Sequence, residues 1–441
     1  MAVVTQVVRG LAALGGALAL VVAGLAGPAA AEPETPIVYP SGSSVTREDR
    51  LAFDTCTAPS LAALDAWKGR SPYTAVNIYF GGNNRGCAQP NLSASWVREA
   101  TRSGWRLLPT YVGYQPSCMF GSKPHRFTAG TANARGVSDG KDAVARAKDL
   151  GLLPGSALYA DVEHYDRDNT SCRAAVRRYV SAWTKTLHAA GYVSGVYVHQ
   201  NSGLRDLSGT YTSSSYARPD AVWMARWDGN QSLTGWPTAP DRLWPTSQRA
   251  KQYEGDHDET WGGVTLTIDS DRLKAPVATV ARSARVTSSD ALNARTGPFG
   301  SSSLVRTYAP GATLAVVCQG LGQRVGSTSV WDRLTNGAWV SDRFVSTSSS
   351  TGFSKGLPRC TYPGQVTVES LTARTGPGTS YAATGKALPR GAFAAVMCQK
   401  VGTRVRTTRV WNRLSDGRWV SDYYVSNRSN HTWSAPVPRC P

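Results

Sequence analysis

Residues 157–164 read Ala157-Leu158-Tyr159-Ala160-Asp161-Val162-Glu163-His164. The short apolar run reads as a buried strand. It closes on two carboxylates at i and i+2. On a strand that spacing points both side chains the same way, with Cα atoms about 6.6–6.8 Å apart. Acids held that close raise each other's proton affinity, so one stays protonated while the other is ionised. Glycosidic cleavage needs that pairing: an acid for the leaving oxygen, and a base or charge stabiliser across the ring.

Similar apolar runs flank this one between Arg50 and Leu273. They are Leu51–Phe53, Ala75–Phe80, Arg106–Val112, Ser194–Val198, Ala221–Ala225, Ala250–Tyr253 and Val264–Ile268, giving eight predicted strands. Helical periodicity fills the gaps at Ser93–Arg102, Ser138–Leu150 and Arg173–Ala190, each followed by a glycine stop. Strands alternating with helices argue for parallel βα units. Eight strands in one such stretch argue for an α/β fold of the (β/α)₈ TIM-barrel type. Chemistry on such a barrel sits where strands end. Asp54 ends the first predicted strand and Asp269 the last, so both are expected beside Asp161 and Glu163.

The last third of the chain repeats itself. LNARTGP at 292–298 returns as LTARTGP at 371–377, and WDRLTNGAWVSDRFVS at 331–346 as WNRLSDGRWVSDYYVS at 411–426. Asn336-Gly337 and Asp416-Gly417 are hairpin signals. Each copy therefore reads as a small all-β barrel. Cys318 and Cys360 recur 80 residues later as Cys398 and Cys440, so each copy is expected to close its own disulfide. The Ser/Gly-rich stretch 346–356 reads as a linker or long loop.

The formal net charge is +18, and 19 Lys and Arg against 6 Asp and Glu after residue 283 place +13 of it in the repeats. Such a tail favours polyanions. The run Leu11–Leu25, followed by Ala29-Ala30-Ala31, reads as a signal peptide over 1–31. The chain is then expected to be secreted, extracellular or wall-associated, with no membrane span after cleavage. Residues 32–49 read as a flexible entry. Secretion permits disulfides. In the barrel region, adjacent strands favour Cys56–Cys87 and Cys118–Cys172 over the other two connectivities. Asp256-His257-Asp258-Glu259 lacks a second histidine at ligand spacing, so no metal and no cofactor is expected. Trp227, Trp236, Trp244 and Trp261 fall in or near late loops, where a ring could stack on sugar or pack in the core. A specific nucleic-acid partner has only the tail charge in its favour and none of the usual motifs.

The segments Phe53 to Trp67 (FDTCTAPSLAALDAW) and Ile78 to Leu92 (IYFGGNNRGCAQPNL) resemble a glycoside-hydrolase-like family of secreted bacterial proteins. Tyr159–Glu163, Gly195–Tyr197, Val222–Trp227, Gln252-Tyr253 and Ile268-Asp269 are more distantly similar to family 25 lysozyme-type glycoside hydrolases. The repeats resemble bacterial SH3-like modules. These resemblances imply a barrel over 50–275 and modules over 284–360 and 364–440 that bind wall components. They imply Glu163 as acid, with Asp161 and Asp54 beside it, and Asp269, Gln252, Tyr197 and Trp227 against substrate. The expected partner is peptidoglycan or a related wall polysaccharide, met by a monomer. The alternative is a catalytically inactive barrel that binds or scaffolds wall glycan.

Overall fold

The computed structural model describes residues 45–245, 247–385, 387–426, 432–434 and 437–441. The expected signal peptide and most of the expected flexible entry lie outside them. Within that entry, residues 45–49 are built into the fold: Val45 and Thr46 are buried and the first strand starts at Arg47.

Eight strands close into a barrel: β1 (Arg47–Asp54), β2 (Ala75–Gly81), β3 (Arg106–Tyr111), β4 (Ala157–Val162), β5 (Val193–His199), β6 (Ala221–Ala225), β7 (Arg249–Trp261) and β8 (Val264–Pro276). They lie in chain order around the ring. From β1 to β7 each neighbour is parallel. The eighth strand departs from an all-parallel (β/α)₈ barrel. It pairs antiparallel with both β7 and β1. The cause is local, because Gly262 and Gly263, both at positive φ, turn β7 straight back as a hairpin. Its outer half, from Glu254 to Ile268, projects past the ring.

Four longer helices flank the parallel strands: α1 (Leu61–Trp67), α2 (Ala94–Ser103), α3 (Ala132–Asp149) and α4 (Thr170–Ala189). Helix α3 starts six residues before the predicted point and runs through Gly136 and Gly140. A Cβ on Gly136 would lie 2.4 Å from the Tyr179 carbonyl oxygen, so the glycine sets a close approach to α4 rather than a break. Outward side chains such as Phe53, Ile78, Leu158 and Val196 pack with these helices into one large core. Inward side chains at the strand starts, among them Ala52, Ala75, Leu108, Tyr159, Trp223 and Leu273, fill the barrel floor.

After the barrel come a six-stranded sheet, from Arg282 to Ser341, and a five-stranded sheet, from Tyr362 to Ser426. Each has its own core, around Val316 and Val340 in the first and Val396 and Val420 in the second. Stretch 346–356 is not a free linker. Ser354 is buried, and its N–H donates to Gln319 Oε1 at 2.7 Å. The disulfides are Cys56–Cys87, Cys118–Cys172, Cys318–Cys360 and Cys398–Cys440. Both sheets meet the barrel at its floor. Thr361 Oγ1 donates to the Val45 carbonyl, Arg218 to Gln365 Oε1, and Arg282 to the Thr101 carbonyl. No helix among the described residues is long and apolar enough to cross a membrane.

Candidate active site

The inward-facing alternation that fills the floor with apolar side chains places polar ones at the opposite end. Asp54, Tyr79, Asp161, Tyr197, Gln252, Asp269 and Asp271 all lie on the inward period of their strands. Glu163 follows β4 by one residue on the same period. Asp54 stands opposite Asp269 in the β1–β8 ladder, and Gln252 opposite Asp271 in the β7–β8 ladder. Asp269 reaches the mouth for a reason other than the one expected. It does not end a strand; it sits where antiparallel β8 comes down from the hairpin into the ring.

Gln252 is the hub of this layer. Its Oε1 accepts from Tyr197 Oη at 2.9 Å and Trp227 Nε1 at 2.8 Å, and its Nε2 donates to Asp54 Oδ2 and Asp269 Oδ2, both at 2.9 Å. An indole N–H can only donate, so the amide oxygen must face Trp227 and the nitrogen must face the acids. All four sequence-predicted substrate contacts, Asp269, Gln252, Tyr197 and Trp227, therefore form one connected set. Tyr79 Oη gives Asp54 Oδ1 a second donor at 2.8 Å.

Opposite this set, Gln115 clamps the end of β4. Its Nε2 donates to the Asp161 carbonyl at 2.8 Å, and its Oε1 accepts the Glu163 N–H at 3.0 Å. The backbone carrying both acids is thereby fixed. Asp161 Oδ1 is buried with no hydrogen-bond partner among the described residues. Gln115 comes from the loop after β3, which the Cys118–Cys172 bridge ties to the start of α4.

Burial decides the electrostatics. It raises Asp54 to about 7, and the neighbouring Asp269 adds to the rise while Gln252 and Tyr79 oppose it. Asp161 goes well above the carboxylate range through burial, then through the Glu163 charge. Burial raises Glu163 as well, against a pull downward from Lys123. Asp269 and Asp271 are also raised, first by burial. Five carboxyls share this layer, and burial raises the proton affinity of each. Asp161 is buried, while Glu163 is only partly buried and stands nearer the opening.

Tyr79, Gln115, Lys123 and Asp271 were not singled out from sequence. Asp271 had a signal in its i, i+2 spacing from Asp269, the same pattern as Asp161 and Glu163. Gln115 and Lys123 lie in a loop whose course no periodicity reveals. Trp227 is 64% exposed at the mouth, whereas Trp236 and Trp244 are buried in the core and Trp261 packs against it. His164 stacks on His199 at 3.9 Å between ring centroids. No metal-ligand cluster occurs among the described residues.

The family model of the Rv2525c-like, glycoside hydrolase-like domain matches residues 65–273. The barrel segment is a glycoside hydrolase-like domain. No curated protein matches the chain significantly. Among solved structures, the chain is similar to an uncharacterized B. stearothermophilus protein at 15% identity, covering 51% of this chain and 95% of that one with a TM-score of 0.36. It is similar to the Mycobacterium tuberculosis Tat-secreted protein Rv2525c in complex with L-tartrate at 14% identity, covering 51% and 96%, TM-score 0.36. It is also similar to the Clostridium perfringens spore cortex lytic enzyme SleM at 11% identity, covering 78% and 85%, TM-score 0.33.

Proposed function

We propose that the glycoside hydrolase-like domain hydrolyses a glycosidic bond of peptidoglycan or a related wall polysaccharide. The observation that carries this reading is a layer of buried carboxyls, bridged by Gln252, with Glu163 at its open side and the exposed Trp227 on the same amide. Glu163 gives its proton to the leaving oxygen. Asp161, its proton affinity raised by burial, polarises the substrate through a hydrogen bond. Asp54 and Asp269, bridged by Gln252, set the local charge and hold sugar hydroxyls. Trp227 offers an indole face to a pyranose ring while its N–H orients Gln252. Tyr197 holds the same amide from the other side.

The chain would work as a secreted monomer after loss of residues 1–31. The barrel, expected over 50–275, takes in residues 47–276, and SH3-like modules would occupy 284–360 and 364–440. The modules, with their excess of arginine, would hold it on the wall. The four disulfides support an oxidising compartment.

The test is release of reducing ends from purified peptidoglycan by the mature protein and by Glu163→Gln. Glutamine keeps the shape and removes the titrating proton. The expected result is a loss of activity of about 100-fold or more with unchanged thermal unfolding. A Glu163→Gln variant as active as the parent would overturn the role of Glu163. Retention on walls with no cleavage by either protein would replace the enzyme with a glycan-binding scaffold.

A further inference from the structure

The two repeats differ at one hairpin in a way that their shared fold does not require. In the first repeat the hairpin 319–330 reads QGLGQRVGSTSV, with one cation; in the second, 399–410 reads QKVGTRVRTTRV, with four and no acid. Both turn through two residues, between Val325 and Thr328 and between Val405 and Thr408. The first turn residue is Gly326 at φ 57° in one repeat and Arg406 at φ 53° in the other. That conformation suits glycine and disfavours any side chain. The second repeat thus keeps a strained arginine where its sister shows that glycine does the folding.

No acid in the second repeat neutralises this hairpin. The three acids after residue 360 are Glu369, Asp416 and Asp422. Glu369 pairs with Arg390 and Asp416 with Arg418. Asp422 is buried and accepts from Gln399 and Asn412. Lys400 Nζ donates to the backbone oxygen of Pro441 at 2.8 Å, so it is not among the open cations. Arg404, Arg406 and Arg409 are exposed. Arg404 and Arg409 use Nε on backbone carbonyls, of Arg406 at 3.1 Å and Gly402 at 3.3 Å. Those bonds occupy Nε in side chains that stay exposed. Arg406 lies beside the Tyr424 hydroxyl.

We propose that the hairpin 399–410 binds a phosphodiester-linked wall polymer, with Arg404, Arg406 and Arg409 gripping successive phosphates. Guanidinium forks match phosphate oxygens in pairs. The disulfides point to an oxidising compartment, where a wall polyphosphate rather than nucleic acid is the polyanion at hand. The proposal rests on the wall-attachment reading and gives that attachment its chemical partner.

The test compares the full-length mature protein with Arg406→Gly and Arg406→Gly/Arg409→Ser, which restore the sister repeat's Gly326 and Ser329. Each is sedimented with purified walls before and after hydrofluoric acid removes phosphodiester-linked polymers. We expect stripping to weaken wild-type binding, and the double variant to bind intact walls about fivefold or more weakly, with its unfolding temperature equal or raised. The slope of log affinity against log salt should fall by about one for each arginine removed. Equal binding to stripped and intact walls, or unchanged binding by the double variant, would overturn the proposal and leave wall attachment standing. Binding to neither wall overturns both readings. Stronger competition by duplex DNA than by the released polymer, at equal phosphate, makes nucleic acid the partner and also overturns it.

Discussion

A single pair of homologous side chains shows how burial fixes a proton. In the second repeat Asn412 Nδ2 donates to Asp422 Oδ1 at 3.0 Å, and Gln399 Nε2 bridges both side chains. In the first repeat the corresponding residues are Asp332, Asp342 and Gln319, and Gln319 Nε2 bridges them in the same way. Asp332 can imitate the asparagine only while protonated. Burial, then the Asp342 charge, raises it well above the ordinary carboxylate range. A folded-state pKa above the unfolded value of about 3.9 means the folded state binds the proton more tightly. Its stabilisation is therefore complete below that value and is lost as pH rises through the folded pKa. Asp332→Asn makes the bond independent of pH. It should stabilise the protein by about 1 kcal/mol or more at alkaline pH and by much less near pH 4, as read from denaturant unfolding at several pH values. An equal effect at every pH would show that Asp332 carries no special proton.

At the scale of elements, the reading of short apolar runs as strands located all eight positions well, because barrel strands are buried on both faces. It failed on the direction of β8. Periodicity is the same for either direction, and only the turn decides it. Gly262-Gly263, a hairpin signal between two apolar runs, was the readable clue. Helix α3 was read short at its start, where Gly136 looks like a break but is a contact with α4. The projecting β7–β8 hairpin shapes the mouth through Gly255, where an added Cβ would lie 2.5 Å from Trp227 Cε2. Gly255→Ala should push the indole away from Gln252. Misplacing one stacking ring should weaken glycan binding by about tenfold, measured by titration with soluble wall fragments. Trp227 is exposed, so the unfolding temperature should barely change. Unaltered binding would remove Trp227 from the substrate face.

The whole molecule was the least legible scale, since no local pattern tells where a repeat docks. The structure puts both sheets under the barrel floor, opposite the carboxyl layer, and the contacts are specific. Arg47, the first residue of β1, lies 3.6 Å over the ring of Phe393 in the second repeat. Leu153, just before β4, packs on the first repeat's cluster of Trp331, Trp339 and the Cys318–Cys360 bridge. A floor closed in this way ties barrel stability to the tail, while the mouth stays open away from it. Phe393→Ala removes the cation–π contact and a buried ring, 4% exposed. It should cost about 3 kcal/mol or more and lower the unfolding temperature of the barrel along with that of the repeat, followed by calorimetry and by near-ultraviolet signals from barrel tryptophans. If the barrel transition stays fixed while only the repeat melts earlier, the floor contact is energetically idle and the tail is a tether. If the two fall together, the repeats are structural parts of the barrel, and a wall held by the tail would leave the carboxyl layer facing outward to a strand of glycan.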